Sequence, residues 1–231
     1  MNPHPHPPED WMRICAVDPG TYRAGALCAA IPPEANCIHF YAEIMLHAAD
    51  AHRLGSELAQ MMGEHKFESF IMDARAGRQT PMGFTMTVAE HYQSVFEELG
   101  LNSRLSQSGF EWGSDNLESR ELALKKWMRH RGALPPMLSV HRHLVQFDKQ
   151  ITEFFYKKLD PSKRDERGKA LELVHCAEYL AAYFENELYY ERPEPAEVKS
   201  KESNATRELK KIIKGINLRA KHTGLPVGSI G

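Results

Sequence analysis

The chain has 231 residues, 42% of them hydrophobic and 26% charged, which is the size and makeup of one soluble globular domain with some polar excess. No window of eighteen apolar residues occurs, and the Pro/His-rich start lacks a charged region followed by an apolar core, so membrane-spanning and secreted classes recede. Net charge is −2, but from Arg192 onward nine Lys/Arg face four Asp/Glu, leaving 20 basic and 27 acidic residues before it; such an acidic body does not suit a passive DNA-coating module and does suit an enzyme whose acids gather cations.

Residues 1–10 carry no periodicity and read as a flexible lead-in. Arg13–Val17 is a short apolar run stopped by Asp18-Pro19-Gly20, the pattern of a buried strand ending in a turn. Ala24–Ile31 and Cys37–Leu46 flank a Pro-rich turn, and three strands in succession predict an antiparallel meander. Leu54, Leu58, Met61 and Met62 give 49–63 a helical spacing, and Phe67–Met72 is a second apolar run that stops at Asp73. A loop over 74–83 leads to a helix from Thr87 to Leu99, a short strand over Ser103–Gln107, a turn at Gly113–Asn116 and a helix from Leu117 to His130. Met137–Val140 predicts a last strand, His143–Lys158 a helix, Asp160–Gly168 a charged loop and Lys169–Leu188 a long helix. One domain over 11–190 is expected, followed at 191–231 by a basic mobile tail with one weak helix near Arg207–Lys214. The order predicts an α/β fold of ribonuclease H-like type, a mixed sheet of three antiparallel and then parallel strands flanked by helices.

Asp18 and Asp73 each close an apolar strand. If those strands are neighbours, two carboxylates converge at one sheet edge, a costly arrangement unless a divalent cation neutralises them, and hard oxygen donors suit Mg²⁺ or Mn²⁺. Turn-forming Asp residues at strand ends are the plain alternative. In the last helix Glu172, His175 and Glu178 are spaced by three, so neighbouring members share a face, and His175 with Glu178, or Glu172 with His175, would supply a third ligand. Solvated helix acids and a packing histidine are the alternative there.

Other chemistries fit less well. Gly20–Gly25 has P-loop spacing, but Ala26-Leu27 stand where Lys-Ser/Thr is needed, which excludes a Walker nucleotide site. Asp18-Pro19-Gly20-Thr21 matches the D-x-G-T phosphate loop of sugar kinases and actin-like ATPases, yet the chain has no Gly-Gly turn. A G-x-S-x-G elbow is absent, Cys176 lies in an apolar mid-helix setting, and the four cysteines are too scattered for a disulfide framework or zinc knuckle. Arg75 and Arg78 follow Asp73, and Lys163, Arg164, Arg167 and Lys169 precede His175, where cations could hold a phosphate backbone beside the acids; a solvated charged loop is the alternative.

Glu9–Arg13 leading into Ala16-Val17-Asp18-Pro19-Gly20, the strand closing on Asp73, Gly113–Asn116 with Ser119-Arg120-Glu121, and the closing Tyr179–Tyr183 stretch together resemble the C-terminal nuclease domain of large terminase subunits of tailed bacteriophages, over roughly residues 9–190. That resemblance implies a ribonuclease H-like endonuclease that cuts concatemeric viral double-stranded DNA with two metal ions during genome packaging. It makes Asp18 and Asp73 the first two metal-binding acids, Asp18 bridging both ions, with either His175 or Glu178 as third ligand where the family carries an Asp-rich stretch. It further implies a host-cytoplasmic protein with no membrane partner. The ATPase half is missing, so translocation needs an ATPase domain or subunit of the packaging motor, with the portal and small terminase as further partners. A Holliday junction resolvase, whose first strand also ends in Asp-Pro-Gly, and a non-catalytic DNA- or portal-binding module of the same fold are the competing readings.

Overall fold

The computed structural model describes residues 7–20, 22–34, 37–48, 50–102, 109–129, 137–156 and 170–188. β1 (Met12–Asp18), β2 (Arg23–Ile31) and β3 (Ile38–His47) form the expected meander, and β4 (Ser69–Asp73), β5 (Phe110–Gly113) and β6 (Leu138–Val140) add to it in parallel. The sheet runs β5-β4-β1-β2-β3-β6. This is the ribonuclease H-like mixed sheet that the order of elements predicts.

Both faces of the sheet are covered, which is why its central strands read as unbroken apolar runs. Ile14 and Ala16 of β1 pack beneath α4 (Leu117–Met128), α5 (Val145–Tyr156) and α6 (Glu172–Tyr183), while Cys15 and Val17 face α1 (Ala51–Met62) and α3 (Val88–Glu98). The alternation is the two-residue period of a strand. Local chemistry sets the helix starts: Asp50 caps α1, Thr87 and Glu90 form a capping box on α3, and Asn116 caps α4. None of the helices described is long and apolar enough to cross a membrane.

Three local expectations change. Residues 74–83 do not start as loop, because Asp73 caps a one-turn helix, α2 (Ala74–Gly77). Phe110–Gly113, where no element was expected before the turn at Gly113–Asn116, is a strand, since Phe110 packs on Phe70 and Phe96. The last helix keeps α geometry only to Tyr183 and widens to π geometry over Phe184–Leu188. The strand expected at 103–107, the loop at 160–168 and the tail at 191–231 lie outside the described residues.

Arg13 is a charge inside the core of this architecture, 5% exposed. Its guanidinium donates to the carbonyls of Pro7 and Pro8 at 3.0 Å, with longer contacts to those of Trp11 at 3.3 Å and Glu9 at 3.4 Å. Carbonyl oxygens thus fasten residues 7–11 to β1. Arg13→Met leaves these carbonyls without their donor and is expected to cost about 3 kcal/mol, on the scale of hydrogen bonds to a charged group, read as a lowered urea midpoint.

Candidate functional site

The strand register carries Asp18 and Asp73 to the same end of two adjacent parallel strands. Val17 pairs with Met72, and each strand ends one residue further on. On the outer side Asp73 pairs with Gly113 of β5, and on the inner side Asp18 pairs with Gly25 of β2. The two glycines share one purpose. A Cβ at Gly113 would overlap the Tyr179 ring, and a Cβ at Gly25 would sit 2.9 Å from Cβ of Glu172, so their bare backbones let α6 lie directly against the strand ends.

α6 begins without a side-chain cap of its own; buried Gln150 of α5 accepts from the Leu173 amide at 2.9 Å instead. One face of the helix then meets three strands in succession. Glu172 accepts from Arg23 of β2 at 2.7 Å. His175 Nδ1 lies 2.9 Å from Asp18 Oδ2 at the end of β1, and since a carboxylate can only accept, the imidazole donates. Tyr179 donates its hydroxyl to Asp73 Oδ2 at the end of β4. Residues 172, 175 and 179 follow the i, i+3, i+7 spacing of a single helix face.

Asp73 plays both parts that its position allows. Its Oδ1 accepts the Ala76 amide and starts α2, as a turn-forming Asp would, while its Oδ2 faces the cluster. Glu178, at 0% exposure, is no solvated helix acid. It points toward α4, where Arg120 places one guanidinium nitrogen 3.9 Å from Glu178 Oε2 and another 3.8 Å from Asp73 Oδ2. The guanidinium carbon stands 4.3 Å from the centre of the Tyr179 ring, a cation–π stack.

Burial pushes the Tyr179 hydroxyl well above the usual phenol range, and the hydrogen bond to Asp73 adds to that, so the hydroxyl stays protonated and donating. Burial likewise pushes the Cys176 thiol up, with the charge of Asp18 adding to it, which makes this thiol inert rather than nucleophilic. Cys15, Cys28 and Cys176 are buried and Cys37 half-buried, all as free thiols.

Of the basic residues, Arg75 and Arg78 are exposed beside the cluster, and Arg78 stands over the Trp112 ring at 5.0 Å and 3.9 Å from Asp115. Lys163, Arg164, Arg167 and Lys169 lie outside the described residues. The two carboxylates are the donor chemistry of a hard divalent cation, whereas the imidazole of His175 is a softer donor. Among the described residues, though, no three His, Cys, Asp or Glu side chains converge as a ready-made cation site.

Arg120, Tyr179, Arg23 and Gly113 complete the cluster without having been singled out for it by spacing. Arg120 left a readable trace: with Ala123, Leu124 and Trp127 it occupies the buried stripe of α4, where a charged residue needs a partner. Tyr179 lies one turn beyond His175 and could have been found the same way.

No family model and no curated protein matches this sequence. Several solved structures match its fold, among them two phage terminase structures. The nuclease domain of the bacteriophage P22 large terminase is 13% identical at a TM-score of 0.51, with 75% of this chain and 81% of that chain covered. The large terminase of a thermophilic bacteriophage is 10% identical at a TM-score of 0.50, and this chain, covered over 77% of its own length, spans 39% of it.

Proposed function

We propose that this chain is a divalent-metal-dependent endonuclease of the terminase type, cutting concatemeric double-stranded viral DNA in the host cytoplasm during genome packaging. The observation that carries this reading is the pair Asp18 and Asp73 at adjacent ends of two parallel strands, under α6, on a fold shared with the P22 nuclease domain. Asp18 and Asp73, with His175 or Glu178, would hold Mg²⁺ or Mn²⁺, two ions in the full reading. A cation held by these residues would supply activation of a water and stabilisation of charge on the leaving oxygen.

The chain's own residues do the rest. His175 orients Asp18 through its 2.9 Å contact, and Tyr179 orients Asp73 from the next helical turn. Arg75 and Arg78 are exposed, one on α2 and the other at its C-terminal end, the helix that Asp73 caps, and we assign them the DNA backbone; Lys163, Arg164, Arg167 and Lys169 are proposed for the same role. An ATPase domain or subunit, with portal and small terminase, would supply the motor.

The test is supercoiled plasmid incubated with the purified protein in Mg²⁺, Mn²⁺ or EDTA. Nicked and linear products that require metal are expected; intact plasmid in every lane from a folded sample would leave the non-catalytic module as the reading. Removing both arginines, as Arg75→Ala with Arg78→Ala, is expected to weaken binding to duplexes of any sequence and to reduce the slope of log affinity against log salt by about 2, one released counterion per phosphate contact. Fluorescence anisotropy over a salt series measures both.

A further inference from the structure

Arg120 lies in the carboxylate cluster, 8% exposed, one end of its guanidinium toward Asp73 and the other toward Glu178, its flat face on Tyr179. Its Nε is buried without a hydrogen-bond partner, so the side chain is held by charge and stacking more than by hydrogen bonds. A carboxylate as deeply buried as Glu178 requires positive charge nearby, because an isolated buried charge is very costly. A guanidinium in that place, however, repels any divalent cation arriving at Asp73.

We propose that Arg120 is a resident counter-cation that competes with divalent metal for this cluster and so sets its affinity. The proposal rests on the metal-dependent reading above. Three observations point to it. The guanidinium is within ion-pair range of two of the proposed ligands at once, at 3.8 and 3.9 Å. It shares Asp73 Oδ2 with Tyr179, so the oxygen that faces the cluster already has one hydroxyl donor and one neighbouring positive charge before any metal arrives. And Arg120 is the charged member of a buried α4 stripe whose other members, Ala123, Leu124 and Trp127, are apolar, so its charge answers the carboxylates across from α4 and not the packing of the helix itself. Arg120 is therefore a positioning residue: it acts on the metal through Asp73 and Glu178, holding them in place without metal and yielding them when a cation binds.

The experiment is Mn²⁺ binding to the full chain, followed by the loss of the free-ion electron paramagnetic resonance signal, for wild type, Arg120→Met and Arg120→Lys, with melting temperature measured in the absence and presence of Mn²⁺. Arg120→Met is expected to bind Mn²⁺ about ten-fold more tightly or better, the scale on which removing one like charge from a partly buried cluster acts. It is also expected to melt lower than wild type without metal and to regain the difference with it. Arg120→Lys keeps the charge and is expected to stay within about two-fold of the wild-type affinity, since the Coulomb term is unchanged. If Arg120→Met does not fold, Arg120→Gln, which keeps a polar side chain without the charge, carries the same expectation. An uncharged variant that binds no more tightly than wild type overturns the proposal, as does Arg120→Lys tightening as much as Arg120→Met, for then charge is not the cause. Failure of wild type and variants alike to bind Mn²⁺ overturns the metal-dependent reading itself, a result distinct from unchanged affinity across all of them.

Discussion

Asp18→Asn is expected to lower metal-dependent plasmid cutting by about 10³-fold, the loss of the several kcal/mol that a polarising cation supplies, while the urea unfolding midpoint stays close to that of wild type. Asn has the shape of Asp, and its amide oxygen can still accept from His175, so the contact between β1 and α6 survives. What disappears is the formal charge at the strand end. Gel quantification of nicked and linear product over time, beside a urea titration of both proteins, separates the two effects. Full cutting activity in the variant would remove Asp18 from the site, and a collapsed midpoint would mean that its charge is structural.

Gly113→Ala is expected to damage fold and site together. The added methyl would lie on the Tyr179 ring, and overpacking of this kind costs about 1–3 kcal/mol. Relief by swinging Tyr179 away from Asp73 would also remove the face on which Arg120 stacks. Cutting is expected to fall with stability. The mechanism is checked by a double-mutant cycle with Tyr179→Ala: if the clash is the cause, the methyl costs little once the ring is gone, and the two changes show a coupling of about 1–2 kcal/mol. Additive losses would place the damage elsewhere in β5.

Much of this arrangement was legible in the amino-acid sequence because the sheet is buried on both faces. Continuous apolar runs that stop at Asp18 and at Asp73 mark strand ends, and α1 and α3 start on ordinary caps. Neighbouring placement of β1 and β4, on which the convergence of the two acids depends, could only be posed as a condition, because pairing is a tertiary fact. The partners of the acids were harder still. Arg120 and Tyr179 reach Asp73 across 47 and 106 residues of chain, and nothing local distinguishes Arg120 from the solvated arginines of other helices except its place in an apolar stripe. Gly113 was read as the opening of a turn, since a glycine that makes room for a distant ring and one that bends the chain look alike in one dimension.

The three contacts of α6 with Arg23, Asp18 and Asp73 have a further consequence. An α-helix climbs about 5.4 Å per turn and strands in a sheet lie about 4.8 Å apart, so the two lattices are nearly commensurate and each turn of α6 serves one strand. A slip of one residue would rotate the helix by about 100° and unseat all three contacts at once. The helix therefore works as a gauge with a single correct setting. Because α6 follows all six strands in the chain, both carboxylates emerge from synthesis well before the element that orders them, and the cluster cannot be complete until that gauge is in place.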